Sequence, residues 1–236
     1  TGPPSSGKTS TLAAIIEQVN QTKSKHVVSF ERPIEFVYQN NKCIINQREV
    51  NIHTPSIESG LKASLMAPPD ILVAERIDSP RAIRSALELA DSGCLVIITL
   101  YTDSVISTID FIINSFPDEE KDLIRLLLSK NLKGIVSQTL LLPKKGHKRV
   151  AAFEVLLYSP LVANLINTQK HNQIPGVIKS NKEHGMINLG DSLLEMVRND
   201  QVSPEEAYEK SVDKIAFSQL LQMSSIKLDL NKRFYN

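Results

Sequence analysis

The chain has 236 residues, 42% hydrophobic and 22% charged, with a formal net charge of +1, enough to bury a full core in one domain or a core domain with a small appendage. Basic residues are matched by acidic ones along most of its length, which gives no reason to expect nucleic acid as a partner. Its two cysteines, Cys43 and Cys94, exclude a disulfide framework and a four-cysteine zinc site and suit a reducing cytoplasm. No run reaches membrane-spanning length, so membrane contact is expected to be peripheral.

The chain opens on Thr1-Gly2-Pro3-Pro4-Ser5-Ser6-Gly7-Lys8-Thr9-Ser10, which fits G-x-x-x-x-G-K-[ST]. In that pattern loop N–H groups turn inward around phosphate oxygens, a lysine meets the outer phosphates and a hydroxyl binds Mg²⁺. Gly2, Pro3, Pro4, Ser5, Ser6, Gly7, Lys8, Thr9 and Ser10 are the candidate nucleotide-binding residues, with Thr9 as a metal ligand. The apolar stripe Leu12, Ala13, Ile16 and Val19 predicts a helix whose N-terminal N–H groups and dipole add to the attraction for an anion. The strand that precedes a phosphate loop is not in the sequence, and there is no initiator methionine. The chain therefore reads as a piece that begins at the motif.

His26 to Phe30 reads as a buried strand followed by Glu31, and Cys43 to Val50 as another with a charged exit. In a doubly wound sheet ligands lie beyond the carboxyl ends of the strands, which puts Glu31 where a carboxylate could activate a water. Ile57 to Met66 predicts a helix stopped by Pro68-Pro69. Asp70 to Glu75 is an apolar strand ending in an acid, the form of the NTPase element that faces Mg²⁺ or the attacking water. Arg81 to Asp91 is a helix, and Cys94 to Leu100 is a continuous apolar run of the kind found in central parallel strands. Alternating strands and helices predict an α/β core.

Helices over about 105–114 and 118–133 follow. Ile135 to Leu142 and Arg149 to Leu157 then read as a hairpin whose basic turn carries Lys144, Lys145 and Lys148 and is expected to be solvated. From Ser159 onward short helices follow one another, at 160–167, 174–179, 189–198 and from Ser203, where Ser203-Pro204-Glu205-Glu206 supplies a cap. The expected division is an ATPase core over 1–158 and a small helical subdomain over 159–236. His147, His171 and His184 lie in polar loops without ligand spacing and are expected at the surface.

Taken in order, Gly2 to Thr9, Glu31-Arg32-Pro33-Ile34-Glu35-Phe36, Asn46-Gln47-Arg48-Glu49-Val50, Pro69 to Glu75 and Ser137-Gln138-Thr139-Leu140 resemble the secretion and pilus-motor ATPases of the type II and type IV pilus systems. The nearest likeness is to the pilus-retraction, twitching-motility branch. The resemblance implies a RecA-like P-loop NTPase core with a small C-terminal helical subdomain, ATP and Mg²⁺ as cofactors, and Glu31 and Glu75 as catalytic carboxylates, Glu75 also facing the metal. It further implies a homo- or hetero-hexamer of pilus ATPase subunits at the cytoplasmic face of the inner membrane, partnered by a membrane platform protein. Related extension and secretion ATPases usually carry a four-cysteine zinc module that this chain lacks, which favours retraction without zinc.

The departures are as specific as the matches. Arg32 stands where the family usually has an aspartate. Cys94 and Tyr101 stand at the two positions of its histidine box, and Met66 replaces an arginine. Tyrosine differs from histidine in charge and donor geometry. Two functions follow: a retraction-type ATPase, with slow turnover, or a non-catalytic nucleotide-binding paralogue that assembles with or regulates an active motor. An unrelated P-loop kinase or DNA-translocating ATPase would leave the Gln47 and Gln138 segments unexplained.

Overall fold

A computed structural model of the chain describes residues 1–229. Helix α1 (Lys8–Thr22) leads into strand β1 (His26–Glu31), and β2 (Ile44–Glu49) follows across a loop. Then come α2 (Ile57–Ser64), β3 (Ile71–Ala74), α3 (Pro80–Asp91), β4 (Leu95–Ile98), α4 (Val105–Asn114) and α5 (Asp118–Asn131). The four strands form one parallel sheet in the order β2-β1-β3-β4.

Strand β3 shows why the layers form. Its side chains alternate between faces, and all four are buried. Ile71 and Val73 pack with Leu12 and Ile16 of α1. Leu72 and Ala74 face the opposite way, into a core shared with Leu61 of α2 and Ile83 and Leu87 of α3. A strand buried on both faces reads as an unbroken apolar run.

Among the described residues β4 pairs with β3. Its other edge borders a groove of about 620 Å³, lined by Leu95, Ile97, Leu100, Ile112, Ile135 and Val136 among others.

Strands β5 (Gly134–Leu141) and β6 (Val150–Leu157) pair antiparallel as a separate hairpin. Beyond it lie α6 (Pro160–Asn167), α7 (Ile174–Ser180), α8 (Leu189–Arg198), α9 (Pro204–Lys210) and α10 (Lys214–Met223). Ser159, Ser203 and Asp213 cap their helices through side-chain acceptors. Helix α10 is an element that the sequence reading did not anticipate. The hydrophobic residues of α6 and α7, among them Ile166 and Ile178, join the main core. Those of α8 to α10 form a second cluster against Leu141 and Ala152 of the hairpin. Residues 230–236, the end of the expected helical subdomain, lie outside the described residues.

The basic turn is solvated as expected, with Lys144, Lys145 and Lys148 exposed; Lys144 and Lys145 pair with Asp200 at the surface, and the Lys144 N–H donates to Gln201 O. One surface expectation changes. His171 is not a surface histidine: its side chain is 19% exposed and its Nε2 lies 2.8 Å from Asp110 Oδ1 on α4. His147 and His184 are exposed.

Gly60 of α2 packs directly on the ring of Phe30, where an added Cβ would lie 2.4 Å from Cε1. Phe30 is fully buried and has no room to retreat. Gly60→Ala gains about 1 kcal/mol of helix propensity but meets an overpacking cost of about 1–3 kcal/mol. The expected result is a melting temperature lowered by about 2–6 °C, read by thermal unfolding monitored by circular dichroism; a rise instead would show that Phe30 moves freely.

Candidate functional site

The loop before α1 is built from conformations that ordinary residues avoid. Gly2 and Gly7 have φ of 146° and 86°, and Ser5 has 59°. Space demands glycine as well: a Cβ at Gly2 would lie 2.2 Å from Gln138 O, and one at Gly7 would lie 2.8 Å from Gln138 Nε2. Gly7 caps α1 without a side-chain bond, which leaves the helix N–H groups to whatever enters the loop.

Lys8 folds back over this loop. Its Nζ donates to Gly2 O at 2.8 Å and Pro3 O at 2.7 Å, and it sits 4.6 Å from the centre of the Tyr101 ring. Burial lowers its pKa, Arg76 lowers it further, and Glu75 opposes both. Thr9 is half-buried and Ser10 exposed in the first turn of α1, while Pro3, Pro4 and Ser5 are exposed and Ser6 is buried.

The two expected carboxylates come together. Strands β1 and β3 pair in parallel with Phe30 opposite Ala74, and the Glu75 N–H donates to Phe30 O at 3.0 Å, so Glu31 and Glu75 leave neighbouring strands at the same level. Both are buried, at 4% and 3% exposure. Burial first, then the charges of Glu31 and Glu35, push the Glu75 carboxyl up to about 7. Glu31 is held by two donors on Oε1, the Ser29 hydroxyl at 2.5 Å and Gln47 Nε2 at 2.9 Å.

Several neighbours of this site were not singled out as site residues. Gln47 lies on β2 opposite Ser29 and also donates to Phe36 O, so the Asn46 to Val50 motif supplies an orienting group for Glu31. Burial first, then Glu31, Glu75 and Glu17, raise the Tyr38 hydroxyl, and the Tyr38 N–H donates to Gln47 Oε1 at 3.0 Å. Arg76 has φ of 56°, donates from its backbone to Thr99 Oγ1 at 2.9 Å, and reaches Glu35 at 4.0 Å. A non-glycine residue held in this region next to a site acid is a mark of function. Only the parallel register brings these residues together, and no spacing in the sequence shows it.

The two histidine-box positions separate. Tyr101 is half exposed beside Lys8. Cys94 is buried where the chain enters β4, its thiol pushed up to about 11 mainly by burial. The six residues from there to Leu100 span about 20 Å of extended chain, so Cys94 is at the end of the strand opposite the phosphate loop. The substitution at Cys94 does not act at the acids.

This arrangement has relatives among known proteins. A family model described as "Type II/IV secretion system protein" matches residues 1–222. The chain is 41% identical over 207 residues to a twitching motility protein of Neisseria gonorrhoeae, covering 88% of this chain and 55% of that protein. It is 40% identical over 211 residues to the type IV pilus retractation ATPase PilT of Pseudomonas aeruginosa, covering 89% of this chain and 61% of that protein. The crystal structure of the pilus retraction motor PilT with bound ADP superposes with a TM-score of 0.86 at 35% identity, covering 93% of this chain and 62% of that one. The chain thus spans a little over half the length of these relatives, and its α/β fold is that of a RecA-like ATPase domain. With the phosphate-loop pattern, the paired acids and the match over residues 1–222 all agreeing, the chain belongs to the type II/IV secretion system protein family.

Proposed function

We propose that this chain carries the nucleotide site of a pilus-retraction motor subunit that binds ATP with Mg²⁺ and hydrolyses it. The observation that carries the reading is Lys8 at the mouth of the glycine loop, its ammonium held by the neutral oxygens of Gly2 and Pro3 beside the desolvated Glu75. A phosphate would replace those dipoles with full charges, and charge-assisted bonds are about twice as strong as neutral ones. The residues fit such a ligand: Gly7 opens α1 with no side-chain cap, leaving the helix N–H groups beside the charged Lys8.

In this reading Gly2, Pro3, Pro4, Ser5, Ser6, Gly7 and Ser10 line the phosphates, and Lys8 pairs with the outermost. Thr9 and Glu75 are the proposed holders of Mg²⁺, which would neutralise charge developing on the phosphates. Glu31 is the proposed base for water, oriented through the oxygen that Ser29 and Gln47 fix. Residues 1–158 carry the chemistry. The helices from 159 on form the helical subdomain, seated on the core by α6 and α7.

The relatives' names, a twitching motility protein and a pilus retraction motor, support the retraction branch; the finer proposal is a homo- or hetero-hexamer of pilus ATPase subunits, peripheral to the cytoplasmic face of the inner membrane and working against a platform protein. Among the described residues no helix is long and apolar enough to cross a membrane.

A second reading, a non-catalytic paralogue that assembles with or regulates an active motor, is favoured by one contact. The ring of Tyr101 lies 4.6 Å from Lys8 Nζ, and a cation–π contact with a half-exposed ring is worth about 0.5–1 kcal/mol. It holds the lysine away from a ligand and offers neither a histidine's charge nor its donor geometry.

Steady-state ATP turnover with Mg²⁺, alongside a nucleotide titration, separates the two readings. Turnover that vanishes in Glu75→Gln supports the motor, and tight binding without turnover supports the paralogue. Lys8→Ala removes two or more charge-assisted bonds, so nucleotide affinity should fall at least about a hundredfold; unchanged affinity by calorimetry would sink the phosphate-loop assignment.

Stability against pH gives a third measure, taken in a chelating buffer. A carboxyl raised in the folded state favours its neutral form. Stability is therefore complete below the ordinary value of 4.5 and declines as pH rises to about 7. Glu75→Gln stays neutral throughout, so its melting temperature should equal the parent's below pH 4.5 and exceed it above about 7. A difference independent of pH would show that Glu75 is not the desolvated acid.

A further inference from the structure

Gln138 of β5 is 6% exposed and uses both ends of its side-chain amide on the phosphate loop. Its Nε2 donates to Ser6 O at 2.8 Å, and its Oε1 accepts from the Thr11 hydroxyl of α1 at 2.6 Å. Its backbone N–H donates to Thr1 O at 3.0 Å, the other end of the same loop. The strand that carries it is fixed by pairing along its length with β6, with Gln138 opposite Phe153.

The bond to Ser6 O controls more than one atom. A trans peptide is planar, and its C=O and N–H point in opposite directions. Holding the Ser6 carbonyl toward Gln138 therefore turns the Gly7 N–H away from β5. Gly7 is the residue that opens α1, where N–H groups gather around an anion. The loop could otherwise rotate this peptide freely, because Gly7 tolerates either sign of φ.

We infer that Gln138 is a positioning residue that locks the Ser6–Gly7 peptide, keeping the Gly7 N–H turned toward the nucleotide phosphates before they bind. The inference rests on the reading of this loop as a nucleotide site. Gln138 touches no phosphate and acts through the backbone. An amide fits because one end must donate and the other accept. A filler of the same shape would preserve packing and lose the lock.

The test uses three variants of the intact chain, Gln138→Ala, Gln138→Leu and Gln138→Glu, with ADP as the probe. Alanine and leucine should raise the ADP dissociation constant about tenfold, the effect of one hydrogen bond in a preorganised site. Glutamate separates positioning from packing. Ionised, it only accepts, so it repels Ser6 O; protonated, it donates and accepts as the amide does. Relative to the parent at each pH, Gln138→Glu should bind about tenfold or more weakly near about pH 8 and recover to within about threefold near about pH 5.5, where a buried carboxyl is protonated. Affinity within about twofold of the parent in all three variants, or no recovery at low pH, overturns the inference.

Hydrogen exchange without nucleotide supplies an independent readout. Gln138→Leu should speed exchange over residues 2–10 about tenfold and leave β1 and β3 unchanged; an unchanged loop overturns the lock. If the parent binds no ADP while the variant loosens the loop, the nucleotide reading fails and the positioning role stands.

Discussion

The pairing of β1 with β3 is the interaction on which the site depends. The bond from Glu75 N–H to Phe30 O at 3.0 Å brings the two strand ends level, so Glu31 and Glu75 emerge side by side into the buried edge of the sheet. Burial favours the neutral form of Glu75, and the like charge on the neighbouring strand adds to it, pushing the carboxyl up to about 7. Two buried acids side by side work against stability, and such arrangements cluster at functional sites.

The phosphate loop solves a related problem. Converging N–H groups require their carbonyls to point elsewhere, and each needs a donor. Lys8 supplies donors to Gly2 O and Pro3 O, the Ser6 N–H donates to Pro3 O, and Gln138 serves Ser6 O. One of these donors is the charged end of a long side chain, and another is carried by a paired strand. Tyr101 stands over the first, beside Lys8.

The parts legible in the sequence were those written in short range. The glycines and lysine of the loop, the helix at α1, the apolar strands and the caps of α6 and α9 follow from local pattern. Glu31 and Glu75 were found because each ends an apolar run. What pattern could not show depends on pairing across the chain. Cys94 and Tyr101 looked like two changes to one box, yet they occupy opposite ends of the same extended segment. His171 was read as a surface histidine because its neighbours in sequence are polar, while its partner, Asp110, is 61 residues away. Gln47 and Gln138 were visible as motif letters, but their bonding is set by register.

Strand β5 draws these observations together. Successive side chains alternate faces, and β5 divides its residues accordingly. Gln138 reaches the phosphate loop, whereas Ile135 enters the main core and Leu141 the second cluster formed by α8 to α10. Ser137 donates to Asp103 O, just before α4. A single eight-residue strand therefore touches the loop, the main core and the helical cluster.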